Sequence, residues 1–233
     1  MLFFRHEKKD FWSKIKSINS PKPDYYFVMG LHYKKVLKKF YPGKIKIIGS
    51  LRYDTTNFRK IKNIEKTKTI LICSTTGDED SIISQLNKCN VKDYNLIVSP
   101  HPVHFESSIK KFKNDLEHNF SYYKEKSSIE LMKKSHLTIS GYSSLGFESI
   151  FCGVPSIRII SPDHPYFFDL QDGVPSITNY KQLNSILNNF SLIKKQNIKK
   201  IIKNIFFKLD NRAHKRFWMA INSIEKKKDH EKK

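Results

Sequence analysis

The chain has 233 residues, of which 39% are hydrophobic and 13% aromatic, enough for one full domain with an appendage or two small ones, and too many for general disorder. Its formal net charge of +21 would attract polyanions, but the lysines are spread through nearly every segment, with no zinc-finger spacing, RNP-like aromatic motif or Gly-Arg tract. No apolar run approaches the roughly 18 residues a membrane span needs, and MLFFRHEKKDFW lacks the apolar middle and cleavage site of a secretion signal. Cys73, Cys89 and Cys152 form no CxxC pair. They read as reduced packing residues of a cytosolic protein, with no metal site implied.

Residues 1–20 are basic with scattered aromatics, and no periodicity decides their state. Tyr25 to Gly30 reads as a strand ending on glycine, Leu31 to Phe40 as a helix, and Ile45 to Ile48 as a second strand before the turn at Gly49-Ser50. Leu51-Arg52-Tyr53-Asp54 follows, then a lysine-rich linker to Lys68. From Thr69 the alternation becomes regular. Strands are expected at 69–73, 95–98, 120–123, 137–139, 155–160 and 176–178, with helices at 78–88, through Leu116, at 127–134, and after Ser144. Pro162 to Gly173 reads as a loop, and Tyr180 to Lys227 as helices.

Strands and helices alternating through short loops imply an α/β fold, a Rossmann-like parallel sheet with helices on both faces. The polar loops at 74–77, 99–104 and 140–144 each follow a strand, so they share the carboxyl edge, where open α/β sheets bind ligands. GxGxxG, a P-loop and GxSxG are all missing, which argues against dehydrogenase, NTPase and serine hydrolase chemistry.

The central stretch is Leu137 to Pro155, LTISGYSSLGFESIFCGVP. Gly141 permits close backbone approach, and the Ser143 and Ser144 hydroxyls can either cap the following helix or bond phosphate oxygens. Both readings require the same residue types. His101, stiffened by Pro100 and Pro102, can donate to a phosphate oxygen. Glu130 can accept from both hydroxyls of a ribose, and Ser74, Thr75 and Thr76 add a polar rim. The plain alternatives are a surface histidine for His101, a solvated helix face for Glu130 and a surface charge for Arg52. Taken together, these residues describe a nucleotide held by sugar and phosphate.

At this point the sequence resembles a family. PDYYFVMGLHYKKVLKKFYPGKIKIIGSLRYD is similar to the segment joining the two halves of GT-B glycosyltransferases, and Thr69 to about Ile160 to their nucleotide-binding half. SPHPVHF and the paired serines resemble the HP and SS motifs of bacterial sialyltransferases, and CDP-glycerol glycerophosphotransferases carry a comparable pattern. The resemblance implies that His101 contacts the donor phosphate, Glu130 the ribose, and Ser143 and Ser144 the phosphate. It implies residues 1–68 as a remnant of the acceptor domain and linker, 69–227 as the nucleotide-sugar domain, and 228–233 as a disordered basic tail.

The expected function is the donor-binding portion of a transferase for cell-surface polysaccharide, taking a CMP- or other pyrimidine-linked sugar. No cofactor or metal is expected, because His101 and Arg52 would offset the departing phosphate's charge. Expected partners are a glycan or lipid-linked acceptor, an anionic membrane surface and a separate acceptor-domain protein, with a cytoplasmic or inner-membrane-face location. The alternatives are a polyol-phosphate transferase, a non-catalytic nucleotide-sugar-binding subunit, and a basic membrane or nucleic-acid binder. The final helices, with FFKLDNRAHKRFWMAI, resemble those that cross back to the acceptor domain; covering the sheet is the other reading.

Overall fold

Strand and helix alternate along the chain in the computed structural model, which describes residues 23–38, 43–56, 58, 68–75, 77–141, 143–159, 174–177, 179–189, 192–193 and 198–231. Residues 1–20 and the loop expected at 162–173 fall outside that set. The chain divides into two compact units, one drawn from Phe58–Gln196 and the other from Trp12–Asn57 together with Asn197–Lys233.

The split unit begins with β1 (Tyr25–Val28), α1 (Leu31–Lys38) and β2 (Lys44–Ile47). β1 and β2 pair in parallel, with Val28 opposite Ile47. A 3-10 turn at Leu51–Tyr53 follows, with Tyr53 buried.

The second unit carries the regular alternation: β3 (Lys68–Cys73), α2 (Glu79–Leu86), β4 (Tyr94–Val98), α3 (Phe105–Asp115) and β5 (Ser121–Tyr122). It continues with α4 (Ser128–Lys133), β6 (Leu137–Ser140), α5 (Leu145–Phe151), β7 (Ser156–Ile159), β8 (Ser176–Ile177) and α6 (Tyr180–Asn188). The strands form one parallel sheet in the order β5-β4-β3-β6-β7-β8. β3 reads KTILIC and buries everything after Lys68, as a strand covered on both faces must. Ile70 and Ile72 join one apolar cluster with Ile82 and Leu86 of α2, Phe112 of α3 and Leu183 of α6. Leu71 and Cys73, pointing the other way, join Leu131 and Met132 of α4. Helices therefore cover both faces, and the Rossmann-like α/β architecture expected from the sequence is present.

The chain then returns to the split unit through α7 (Ile198–Ile201), a π turn at Ile202–Phe206, and α8 (Ala213–Glu231). Gly30 is required there, because a Cβ at that position would lie 2.5 Å from the Ile205 carbonyl. Phe217 of α8 packs edge-on to Phe27 of β1 at 5.1 Å between ring centres, and Arg216 Nε donates to Ile48 O at 2.7 Å. Asp54 caps the start of α8 from far along the chain, accepting from the Ala213 and His214 amides at 2.9 and 2.7 Å. α8 therefore belongs with β1 and β2. α8 also runs through Glu231, past Lys227, since its Lys- and Glu-rich end consists of good helix formers. No helix among the described residues is long and apolar enough to cross a membrane.

Candidate nucleotide site at the carboxyl edge of the sheet

The strand order reverses between β3 and β6, whose following helices diverge from neighbouring strand ends. Such a switch point leaves a crevice at the carboxyl edge, the ordinary place for a ligand in an open α/β sheet. Two loops flank it: 74–78 after β3 and 140–144 after β6.

The first loop satisfies itself. Thr75 donates its amide and its hydroxyl to the two carboxylate oxygens of Asp78, each at 2.8 Å, and the Gly77 amide donates to Glu79 Oε2 at 3.0 Å. Ser108 Oγ donates to the other Glu79 oxygen at 2.7 Å. Asp78 and Glu79 are 1% and 6% exposed, so their carboxyl groups sit inside the loop at the amino end of α2. An incoming phosphate would find the Thr75 and Gly77 amides already taken. Burial, with the nearby Glu148 and Asp78 carboxylates, pushes the Cys73 thiol far above its ordinary value, so Cys73 stays a neutral packing group. The Ser74 hydroxyl is buried and makes no hydrogen bond to the described residues, while its carbonyl accepts from the His101 amide at 3.1 Å. Thr76 lies outside the described residues.

The second loop is uncharged. Gly141 presses against the first: a Cβ there would lie 2.1 Å from Asp78 Oδ2, so no other residue fits without displacing the carboxylate. Ser143 is nearly buried, and its hydroxyl accepts from the Leu145 amide at 3.2 Å. Ser144 occupies the cap position of α5 at φ −64 and ψ −13 but makes no side-chain cap bond, leaving its half-buried hydroxyl for other use.

His101 stands on the loop after β4, exposed, at the start of a 3-10 turn over Pro102–His104 with Pro102 in its first position. Its Nδ1 accepts from the Val103 amide at 3.3 Å, which leaves the ring proton on Nε2, pointing a donor away from the turn. Glu130 belongs to α4, whose start is tied to the same edge by the Ser99 and Ser128 hydroxyls, 2.9 Å apart. Glu130 completes a capping box, one carboxylate oxygen accepting from the Ser127 amide and hydroxyl at 3.0 and 3.1 Å. Those bonds, the amide first, hold its carboxyl below the usual value. Arg52 belongs to the split unit, where its guanidinium lies 5.5 Å from the Tyr53 ring centre.

The edge thus gathers Ser74, Thr75, His101, Pro102, Gly141, Ser143 and Ser144 on three loops leaving adjacent parallel strands, with Glu130 on the helix beside them. Sequence reading missed Asp78 and Glu79. Their signal was the acidic run opening α2, which resembles any helix start. It also missed Glu148 on α5 and Arg158 on β7, both wholly buried, with the Arg158 guanidinium 5.7 Å from the Phe147 ring centre. Among the described residues no group of three or more His, Cys, Asp or Glu side chains is arranged to hold a metal ion.

No family model matches the sequence, and no curated protein does. Solved structures do match. The wall teichoic acid polymerase TagF, as a variant soaked with CDPG, superposes with a TM-score of 0.56 at 15% identity, covering 98% of this chain and 63% of that one. The fold is of the GT-B type. MnaA of S. aureus with UDP shares the GT-B likeness at a TM-score of 0.61 and 11% identity, over 87% of this chain and 60% of that one. HepE of Anabaena with UDP-glucose follows at 0.51 and 10%, over 84% and 63%. Across these GT-B structures the present chain spans under two thirds of the partner's length.

Proposed function

We propose that the chain is the donor-binding portion of a transferase of cell-surface polysaccharide biosynthesis, holding a nucleotide-activated sugar at the carboxyl edge between the loops after β3, β4 and β6. The observation that carries this reading is the contrast at the switch point. One loop there is closed by its own carboxylates, and its neighbour at Gly141, Ser143 and Ser144 carries no charge and has a cap hydroxyl to spare. The phosphate would sit on the second loop. His101 Nε2–H would donate to the departing phosphate oxygen as the bond from the anomeric carbon to that oxygen breaks, stabilising charge that develops there. The acceptor hydroxyl forms the new bond and surrenders its proton to a base. Glu130, with one oxygen engaged by Ser127, has the other for the ribose. Ser74 and Pro102 border the seat, and Thr75 braces it by holding Asp78.

A pyrimidine base is supported by the neighbours' own ligands, CDP-glycerol for TagF and UDP or UDP-glucose for MnaA and HepE. We favour a cytidine nucleotide, on the HP and paired-serine pattern. The second reading is transfer of a polyol phosphate. It draws on TagF, which matches 97–99% of this chain where MnaA and HepE match 84–87%. A glycan or lipid-linked acceptor completes the proposal, at the cytoplasmic face of the membrane.

The test is thermal stability of the purified chain with CMP, CDP, UDP and GDP at moderate salt. A ligand that binds only the folded state raises the melting temperature. A rise with a cytidine nucleotide that exceeds the rise with GDP supports the proposal, and no rise with any nucleotide overturns it.

A further inference from the structure

The loops after β4 and β5 carry a surface for which the nucleotide reading has no use. Val103, at the tip of the Pro102–His104 turn, is 76% exposed, the most exposed large hydrophobic side chain among the described residues. Tyr122 and Tyr123, at the end of β5, stay 40% and 38% exposed. Lysines gather on these rings. Lys126 Nζ lies 3.8 Å from the Tyr123 ring centre, and Lys113 Nζ lies 5.0 Å from that of Tyr122 and donates to its hydroxyl at 3.2 Å. Lys124 reaches over Phe105 at 5.8 Å and pairs with Glu106 at 2.7 Å. The Phe105 ring, two residues past Val103, stands 6.2 Å from that of Tyr122, so the turn after β4 and the end of β5 are neighbours at this edge. Because the strands are parallel, both loops leave the same edge as the Ser143 loop.

Lysines alone would suit any polyanion. An exposed valine flanked by rings with polar ends suits a lipid headgroup layer, where apolar tips enter the acyl boundary, tyrosines settle at the interface, and lysine stems keep their charge in water. We propose that this face, Val103 with Tyr122, Tyr123, Lys113, Lys124 and Lys126, seats the protein on an anionic bilayer. Val103 and the tyrosines enter the headgroups, and the lysines meet lipid phosphates. The nucleotide edge then faces the membrane, where a lipid-linked acceptor would be presented. The face stands on its own geometry and does not depend on the nucleotide reading.

The full chain, without nucleotide, is sedimented with phosphatidylcholine vesicles and with vesicles containing about a third phosphatidylglycerol, at physiological salt. The unmodified chain partitions into the anionic vesicles only. Val103→Asp with Lys126→Glu weakens that partition by roughly tenfold or more. Lys88→Glu with Lys92→Glu, at the opposite edge of the sheet and removing more positive charge, weakens it by less than about threefold, because screening confines each charge to about 8 Å. Val103→Ser alone, a solvent-exposed change with no new charge, weakens it measurably and guards against misfolding of the double variant. Absence of partition into anionic vesicles overturns the proposal. So does equal loss in the Lys88/Lys92 variant. Tight binding of single-stranded RNA without vesicle partition would make this a nucleic-acid face and also overturn it. Any of these failures leaves the nucleotide shift untouched, so the two proposals are separately decided.

Discussion

The loops after β3 and β6 leave adjacent strands in the same direction, end on the same edge, and lead into short helices, yet they are opposites. Loop 74–78 folds Asp78 and Glu79 back onto the amides of Thr75 and Gly77 and is closed. Loop 140–144 is Ser-Gly-Tyr-Ser-Ser, without a charge, and leaves the Ser144 cap hydroxyl uncommitted. The same strand–turn–helix geometry therefore makes either a braced wall or a seat for an anion. What decides between them is whether the carboxylates take up the loop's own amides: Asp78 and Glu79 do so, whereas Glu148, in the first turn of α5, is wholly buried inside the helix start and leaves the Ser144 hydroxyl without a cap bond. The two loops also depend on each other, since the closed one leaves room only for a glycine at position 141.

The largest effect is expected where they touch. Gly141→Ala puts a methyl 2.1 Å from Asp78 Oδ2 and should destabilise the fold by about 2–3 kcal/mol, read as a lowered urea midpoint. Because the Asp78 Cβ itself would lie 2.5 Å from the new methyl, the opposing side is trimmed to glycine: Gly141→Ala with Asp78→Gly should cost less than the sum of the two single changes, since the clash is removed while the Thr75 bonds are lost only once. Strict additivity would mean that the loops do not press on each other.

A smaller effect is expected at Asp54, a carboxylate that closes a helix start in the split unit and so serves as a control for the closed loop. Burial pushes its carboxyl up, but the bonds from the His214 and Ala213 amides and the His214 ring hold it below its ordinary value of 3.8. A lowered folded value means that the contribution is full above the ordinary carboxylate range and is lost as pH falls through the lowered value. Asp54→Asn should cost about 1–2 kcal/mol near neutral pH and flatten the acid limb of the stability profile, followed by thermal melts between pH 3 and 6. It should leave nucleotide binding unchanged.

Much of this was legible in the sequence. β3, β4 and β6 announced themselves as short apolar runs ending in polar loops, and a parallel sheet followed because each run was buried on both faces. His101 was marked by its flanking prolines. The contact between Asp78 and Gly141 was not legible, because a local pattern says that a glycine is present but not what presses on it. Glu130 read as a ribose contact or a solvated helix face, and the structure shows a third role, the capping box that it closes with Ser127. Arg158 stood unremarked inside the apolar run SIRII, and its complete burial depends on which elements cover β7. The partner of α8 was open for the same reason, since an amphipathic helix states that one face is covered without naming the cover.

The comparison reduces to a single paired measurement. Ser143→Ala with Ser144→Ala alters only the open loop, and Thr75→Val alters only the braced one, each at a stability cost of about 1 kcal/mol or so. The rise in melting temperature produced by saturating CMP or CDP is then compared among the unmodified chain and these two variants, each against its own ligand-free value. The account predicts that the rise disappears in the serine variant and persists in Thr75→Val. A rise retained in the serine variant and lost in Thr75→Val would place the phosphate on the loop after β3 and contradict it.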